Sequence, residues 1–127
     1  MTVRWIVDAM NVIGSRPDKW WNDPDRAMRE FAARLDEFAS HTGRTITCVF
    51  DKDPRDLPQV ESIQVVIARR KGRNAADHEI EQIVEQDPDP ASLRIVTSDR
   101  RLDEKVTALG ARVVSSGRFR AELDGNH

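Results

Sequence analysis

The sequence predicts an α/β fold in which one open parallel sheet of about five strands is covered by helices. Short β-like runs alternate with longer segments whose apolar residues recur every three or four positions, as in strands joined by helical crossovers. The chain has 127 residues, near the usual size of one domain, so we expect a single domain over residues 1–127. A hydrophobic fraction of 39% and a charged fraction of 33% are typical of an ordinary globular protein.

The strand and helix signals follow one another in a regular order. Strand-like runs cover residues 3–8, 45–51, 63–68, 93–99 and 112–114. The clearest helix lies between the first two runs, where Asp23 is a favourable N-cap, Pro24 suits the first helical position and Gly43 ends the segment. Further helices are predicted over residues 75–85, after Asp99 with a stop at Gly110, and after Ser115 or Ser116.

Composition limits the environment and the partners of the chain. No apolar stretch approaches the roughly 18 residues that a membrane helix needs, and Met1 leads into a strand pattern without a signal peptide, so we expect a cytoplasmic protein. The lone cysteine, Cys48, lies in an apolar run and is expected to be a buried thiol. The net charge of −2 indicates no general affinity for nucleic acid, so the distribution of charge matters more.

Carboxylates recur at the ends of the predicted strands. Asp8 and Asp51 end the first two runs, Asp99 ends the fourth, and Asp77 opens a helix. The carboxyl ends of parallel strands meet at one edge of an open sheet, where ligands bind. One aspartate there usually caps a helix or a turn. The recurrence, together with Asn11, indicates instead a metal site, and hard oxygen ligands suit Mg²⁺ or Mn²⁺.

Several motifs resemble those of a nuclease family. The sequence reads Val7-Asp8-Ala9-Met10-Asn11-Val12-Ile13-Gly14, then Val49-Phe50-Asp51, then Ala75-Ala76-Asp77 with Glu81, then Val96-Thr97-Ser98-Asp99-Arg100. In this order the motifs resemble the NYN domains of the PIN-like nuclease superfamily, particularly the YacP-like branch of bacterial ribonucleases. The resemblance spans residues 3–115. The chain has Asp-Ala-Met-Asn where the family often has Asp-Gly-Tyr-Asn, which leaves the choice of substrate open.

The resemblance implies a fold, an activity and a set of site residues. The fold is a three-layer sandwich with strand order 3-2-1-4-5 and helices on both faces of the sheet. The activity is that of a metal-dependent endoribonuclease, in which Mg²⁺ or Mn²⁺ activates water for attack on phosphorus. The implied metal ligands are Asp8, Asp51, Asp77, Glu81 and Asp99, and the implied catalytic residues are Asp8, Asn11, Asp77 and Asp99.

For some of these residues the sequence leaves a second role open. Glu81 lies one helical turn after Asp77, a spacing that suits either a further metal ligand or a solvent-facing side chain. The amide of Asn11 is predicted to hold Asp8 or a metal-bound water, the alternative being that it shapes the turn after the first strand. His78, beside Asp77, is interpreted as a surface residue rather than as a general base.

A basic cluster lies between the third strand and the helix that carries Asp77. Phosphates beside a cleaved bond need cationic partners, so we expect this loop, with two arginines after Asp99, to bind RNA. The residues are Arg69, Arg70, Lys71, Arg73, Arg100 and Arg101. The alternative is an ordinary solvated surface. Of the adjacent Trp20 and Trp21, we expect one to pack and the other to be available for stacking on a base.

The expected partner is RNA in single-stranded form, without any membrane. Association with a ribosome and the choice between a monomer and a homodimer are left open. The alternative function is a non-catalytic RNA-binding module with a PIN-like fold, which the carboxylates disfavour because they repel phosphate unless a metal intervenes. A phosphatase or nucleotide-binding protein of another kind is disfavoured because the sequence has no glycine-rich phosphate loop.

Overall fold

The sheet determines where the candidate site residues lie. A computed structural model describes residues 2–15 and 19–125. The strands are β1 (Arg4–Asp8), β2 (Thr45–Phe50), β3 (Ile63–Ile67), β4 (Leu93–Val96) and β5 (Arg112–Val114). All of them pair in parallel, in the order β3-β2-β1-β4-β5, which confirms the predicted α/β fold and the implied strand order.

Helices connect the strands on both faces of the sheet. They are α1 (Ala9–Gly14), α2 (Pro24–Thr42), α3 (Ala75–Gln86), α4 (Arg100–Ala108) and α5 (Ser116–Gly125), with 3₁₀ turns at Trp20–Asn22 and Pro90–Ser92. The predicted helices are confirmed. The short helix α1 was not predicted, because six residues are too few to show a helical period in the sequence. Within the described ranges, no helix is long and apolar enough to cross a membrane.

The ends of α2 follow the predicted capping chemistry. The side chain of Asp23 accepts a hydrogen bond from the backbone N–H of Arg26 at 3.2 Å, and Pro24 opens the helix. The helix ends at Gly43, whose φ of 71° is a left-handed conformation that glycine adopts at little cost. One apolar face of the helix is buried, formed by Met28, Phe31, Ala32, Leu35, Phe38 and Ala39.

Two apolar clusters lie on opposite faces of the sheet. Alternate strand residues divide between them, since Val7 packs with α1, α2 and α5, whereas its neighbour Ile6 packs with α3 and α4. Cys48 belongs to the first cluster and is fully buried, as predicted. The chain therefore leaves β1 toward one face and β4 toward the other.

This divergence creates a crevice at one edge of the sheet. β1 and β4 are neighbours, and Val7 pairs with Val96 at their carboxyl ends. Because α1 departs from β1 on one face and α4 follows β4 on the other, the space above these two strand ends is left open. Ligands of open α/β sheets bind at such a switch point.

Candidate functional site

The four predicted aspartates stand around this crevice. Asp8 ends β1 and is only 4% exposed, and Asp51 follows β2 directly. Asp99 is the N-cap of α4, and Asp77 lies in the first turn of α3. Four separate segments of the chain thus bring carboxylates to the same edge of the sheet.

Thr97 connects two of these aspartates. Its Oγ1 donates to Oδ2 of Asp8 at 2.9 Å and accepts the backbone N–H of Asp99 at 3.1 Å. Oδ1 of Asp99 also accepts the N–H of Leu102 at 3.0 Å and so caps α4. Since Thr97 is 1% exposed, water does not compete for these bonds, and the positions of Asp8 and Asp99 are coupled.

The carboxylates also act on one another through their charges. The pKa of Asp8 is raised to about 7, chiefly by burial and further by the charges of Asp77, Asp99 and Asp51, while the hydrogen bond from Thr97 acts to lower it. Burial and the neighbouring Asp99 raise the pKa of Asp77 to about 6. Clusters of shifted pKa values in a cleft are typical of functional sites.

The oxygen donors of this cluster suit a hard divalent cation. Oδ1 of Asp51 is buried without a hydrogen-bond partner in the described structure, so it has an unused electron pair to offer. Among residues 2–15 and 19–125, no three His, Cys, Asp or Glu side chains are grouped closely enough to enclose an ion. Mg²⁺ needs no such enclosure, because it keeps several waters and uses one or two carboxylates together with substrate phosphates. The residues present therefore fit Mg²⁺ or Mn²⁺ with an open coordination sphere.

Asn11 binds the loop that carries Asp99. Its Oδ1 accepts the backbone N–H of Ser98 at 2.8 Å and the hydroxyl of Ser116 at 2.6 Å. The Ser98 hydroxyl in turn accepts the N–H of Ser116 at 2.9 Å. The amide oxygen of Asn11 thus positions Asp99 through the backbone, and the expectation that this amide holds Asp8 or a metal-bound water stays a prediction.

The basic loop between β3 and α3 is anchored by one of its arginines. Arg69 donates its backbone N–H and its Nε to Oε1 of Glu79 at 3.0 and 3.2 Å, and its Nη2 to Oε2 at 3.1 Å. The Glu79 side chain is 7% exposed. Burial acts to raise its pKa, but the bonds from Arg69 outweigh this effect and lower it. Arg69 therefore holds the loop against α3.

The other predicted cations surround a cleft beside Asp77. This cleft, which we call the α3–α4 cleft, measures about 270 Å³ and lies between α3, α4 and the basic loop. The cations that line it are Arg70, Arg73, Arg101 and Lys105. The charges of Arg101 and Lys105 lower the pKa of Asp77 and so oppose the effect of burial. An anion such as a phosphate would fit beside this group of positive side chains.

The remaining predicted residues lie around the same cleft. Oε2 of Glu81 contacts Nζ of Lys105 at 3.2 Å, so this carboxylate faces the cation on α4. His78 is half-buried and lines the cleft, whereas Arg100 and Lys71 are exposed and do not line it.

Two side chains of the candidate site were not identified from the sequence. Lys105 lies four residues after Arg101, which places both on one face of α4, so the helical spacing contained a usable signal. Thr97 had no such signal, because a buried threonine after a strand is common and only the structure shows its two bonds.

Comparisons with known proteins agree with this architecture. A model of the YacP-like NYN domain family matches residues 5–127. The solved structure of Rae1 (YacP) from Bacillus subtilis is similar with a TM-score of 0.78 and 21% identity, and the match covers 98% of this chain and 75% of that chain. A mutant of the same protein gives a TM-score of 0.76 and 23% identity over 98% and 76% of the two chains. No curated protein sequence matches significantly. At these identities the structural likeness shows a common fold.

Proposed function

The chain belongs to the YacP-like NYN domain family, which has a nuclease-type fold, and from this premise we propose that it is a metal-dependent endoribonuclease. One observation carries the proposal. Asp8, Asp51, Asp77 and Asp99 share a single electrostatic site at the switch point of the sheet, next to a cationic cleft. Carboxylates without a cation would repel an RNA phosphate, whereas carboxylates with a divalent ion attract it.

The side chains divide the work of hydrolysis between them. One or two of the four carboxylates would hold Mg²⁺ or Mn²⁺, with water and the substrate phosphate as the other ligands, and the candidates are Asp8, Asp51, Asp77 and Asp99. The bound ion would lower the pKa of the attacking water and would place positive charge beside the phosphoryl oxygens. Thr97 keeps Asp8 and Asp99 at a constant separation, so little reorganisation is needed when phosphate binds.

The α3–α4 cleft is proposed to bind a phosphate next to the one that is cleaved. Arg70 and Arg73 come from the basic loop, while Arg101 and Lys105 come from α4, so the cations reach the strand from two sides. They stand beside Asp77, which belongs to both the cleft and the carboxylate cluster. A polyanion held there would lie across the cluster.

The test combines a cleavage assay with a binding assay. We expect the purified protein to cut single-stranded RNA internally in Mg²⁺ or Mn²⁺, and a chelator or the Asp8→Asn substitution to abolish the cutting, a loss of about 10² to 10⁴ in rate. In Ca²⁺, replacing Arg70 and Arg73 by alanine should weaken binding and reduce the salt slope by about 0.7 for each lost contact.

Two results would contradict the proposal in different ways. Full cleavage by a folded Asp8→Asn protein would exclude the carboxylate mechanism. Salt-dependent RNA binding without cleavage in either metal would show the alternative function, a non-catalytic RNA-binding module.

A further inference from the structure

A second cleft lies on the opposite face of the sheet from the α3–α4 cleft. It measures about 410 Å³ and is formed by α1, the 3₁₀ turn at Trp20–Asn22 and α2. The lining is mixed, because the other lining residues are polar or charged and the apolar ones are Ile13, Trp20, Ala27 and Phe31. We call it the Trp20 cleft. A volume of this size is in the range of small-molecule sites. The roles assigned above to the carboxylates and the basic loop do not use it.

The Trp20 cleft lies within reach of an RNA strand at the carboxylates. α1 begins directly after Asp8, and Ile13 near the end of α1 lines the cleft. At about 1.5 Å per residue, Ile13 is roughly 8 Å along the helix axis from Asp8. At the stacked spacing of about 3.4 Å per nucleotide, this distance corresponds to about two or three nucleotides.

The chemistry of the cleft suits an aromatic ring that also forms hydrogen bonds. The indole of Trp20 offers a flat face, and its ring meets that of Trp21 edge-on, with 6.2 Å between centroids and 83° between planes. At the polar side of the cleft, Asn22 offers an amide, while Oε1 of Glu30 accepts a bond from Nε of Arg26 at 2.9 Å, so this carboxylate acts as one half of an ion pair. A nucleobase has both features, a π-face and polar edges.

The backbone before Trp20 is held in an unusual conformation. Lys19 has a φ of 58°, in the left-handed region that a residue with a side chain seldom occupies. This conformation starts the 3₁₀ turn that places Trp20 at the cleft. Backbone strain of this kind is concentrated at ligand sites, where a particular side-chain position is needed.

We propose that the Trp20 cleft binds one unpaired nucleobase of the RNA, a few nucleotides from the phosphate that is cleaved. The inference rests on the proposed function, and it adds a requirement that the carboxylates alone do not impose. A base can enter the cleft only when it is unstacked from its neighbours, so the strand beside the cleavage site must be single-stranded and flexible.

The experiment uses a set of pentanucleotide RNAs in which one nucleotide at a time lacks its base. Affinity is measured in Ca²⁺ so that binding is separated from cleavage, and cleavage of the same RNAs is measured in Mg²⁺ and Mn²⁺. The wild-type protein should lose about five- to a hundredfold in affinity when the base is missing at one particular position. Trp20→Ala should bind the intact RNA more weakly than the wild type does, by the same factor. Removing the base at that position should weaken the binding of this variant no further.

Trp21 provides a matched control. It is 56% exposed and adjacent to Trp20, but it does not line the cleft, so Trp21→Ala should keep the dependence on position. Two further variants guard against misfolding of Trp20→Ala. Trp20→Phe keeps an aromatic face and should retain most of the dependence of affinity on the position of the missing base. Ala27→Leu narrows the cleft without changing Trp20 and should abolish this dependence.

The outcomes separate this inference from the proposed function. The base-binding site is overturned, even if the protein cleaves RNA, by either of two results. In the first, the affinity falls equally whichever base is missing; in the second, Trp20→Ala shows the same position-dependent loss of affinity as the wild type. A loss at one position that disappears in Trp20→Ala and Ala27→Leu supports the site. If that pattern occurs without cleavage in Mg²⁺ or Mn²⁺, the nuclease proposal falls while the base-binding site stands.

Discussion

Replacing Asp8 by asparagine should stabilise the protein in the presence of a chelator. Asp8 is 4% exposed and lies among three other carboxylates that raise its pKa, so ionising it costs more free energy in the folded protein than in the unfolded chain. Asparagine has nearly the same shape and no charge. Its side-chain oxygen can still accept the hydrogen bond that Thr97 now donates to Asp8 at 2.9 Å.

The stability gained by Asp8→Asn depends on pH, and the direction of this dependence follows from the raised pKa of Asp8. Asp8 has a pKa of about 7 in the folded protein and about 3.9 in an unfolded chain. Between these values Asp8 binds more protons in the folded state than in the unfolded state, so its contribution to the stability of the wild-type protein falls as the pH rises from about 4 to about 7. The full shift corresponds to at most roughly 4 kcal/mol above pH 7.

Urea unfolding at several pH values measures this difference. With a chelator present, Asp8→Asn and the wild type should be about equally stable near pH 4, and the variant should be more stable by about 1 to 4 kcal/mol at pH 8. Asp53→Asn removes an exposed carboxylate near the end of β2 and should show no comparable gain. Added Mg²⁺ should stabilise the wild type more than Asp8→Asn.

Two results would refute this reasoning. A difference in stability that does not change between pH 4 and pH 8 would show that Asp8 is not protonated in this range. A variant that is less stable than the wild type at pH 8 would show that the Asp8 carboxylate is stabilised by its surroundings, and the cluster would then be a structural network.

Two further predictions concern hydrogen bonds around the site. Thr97→Val keeps the shape of the side chain but removes the bonds to Asp8 and Asp99, so the rate of RNA cleavage should fall at least tenfold while urea unfolding shows a loss of about 1 to 3 kcal/mol. Unchanged cleavage would show that Thr97 does not position the carboxylates. Arg69→Ala removes the two side-chain bonds to the buried Glu79 and leaves it only the backbone N–H of residue 69, so it should cost about 1 to 2 kcal/mol in urea unfolding, which Glu79→Gln should partly restore in the double variant. Equal stability of Arg69→Ala and the wild type would exclude the anchoring role.

The sheet was predictable from the sequence because its signals are local. Each strand is a short apolar run, and α2 begins and ends with residues whose caps are recognisable, Asp23 and Gly43. The motifs that resemble the NYN family then implied the strand order. α1 escaped prediction because a helix of six residues between Asp8 and Ser15 has less than two turns in which to show a period.

The side chains at the site were harder to assign than the fold. A run of arginines predicts a charged surface, but only the tertiary structure shows that Arg69 is bound to Glu79 whereas Arg70 faces the α3–α4 cleft. In the same way, the family resemblance marks Asn11 without showing that its amide oxygen binds Ser98 and Ser116. Such roles depend on contacts between residues distant in sequence, and no local pattern encodes them.

The two clefts and the carboxylates would together define the path of the proposed RNA substrate. The α3–α4 cleft lies on one face of the sheet and the Trp20 cleft on the other, and the carboxylates stand between them at the switch point. A strand with phosphates in the first cleft and a base in the second must cross the edge of the sheet. Because the base has to leave its stack to enter the Trp20 cleft, a regular RNA duplex cannot follow this path without opening. If both proposals hold, the arrangement would therefore select single strands over duplexes by its geometry.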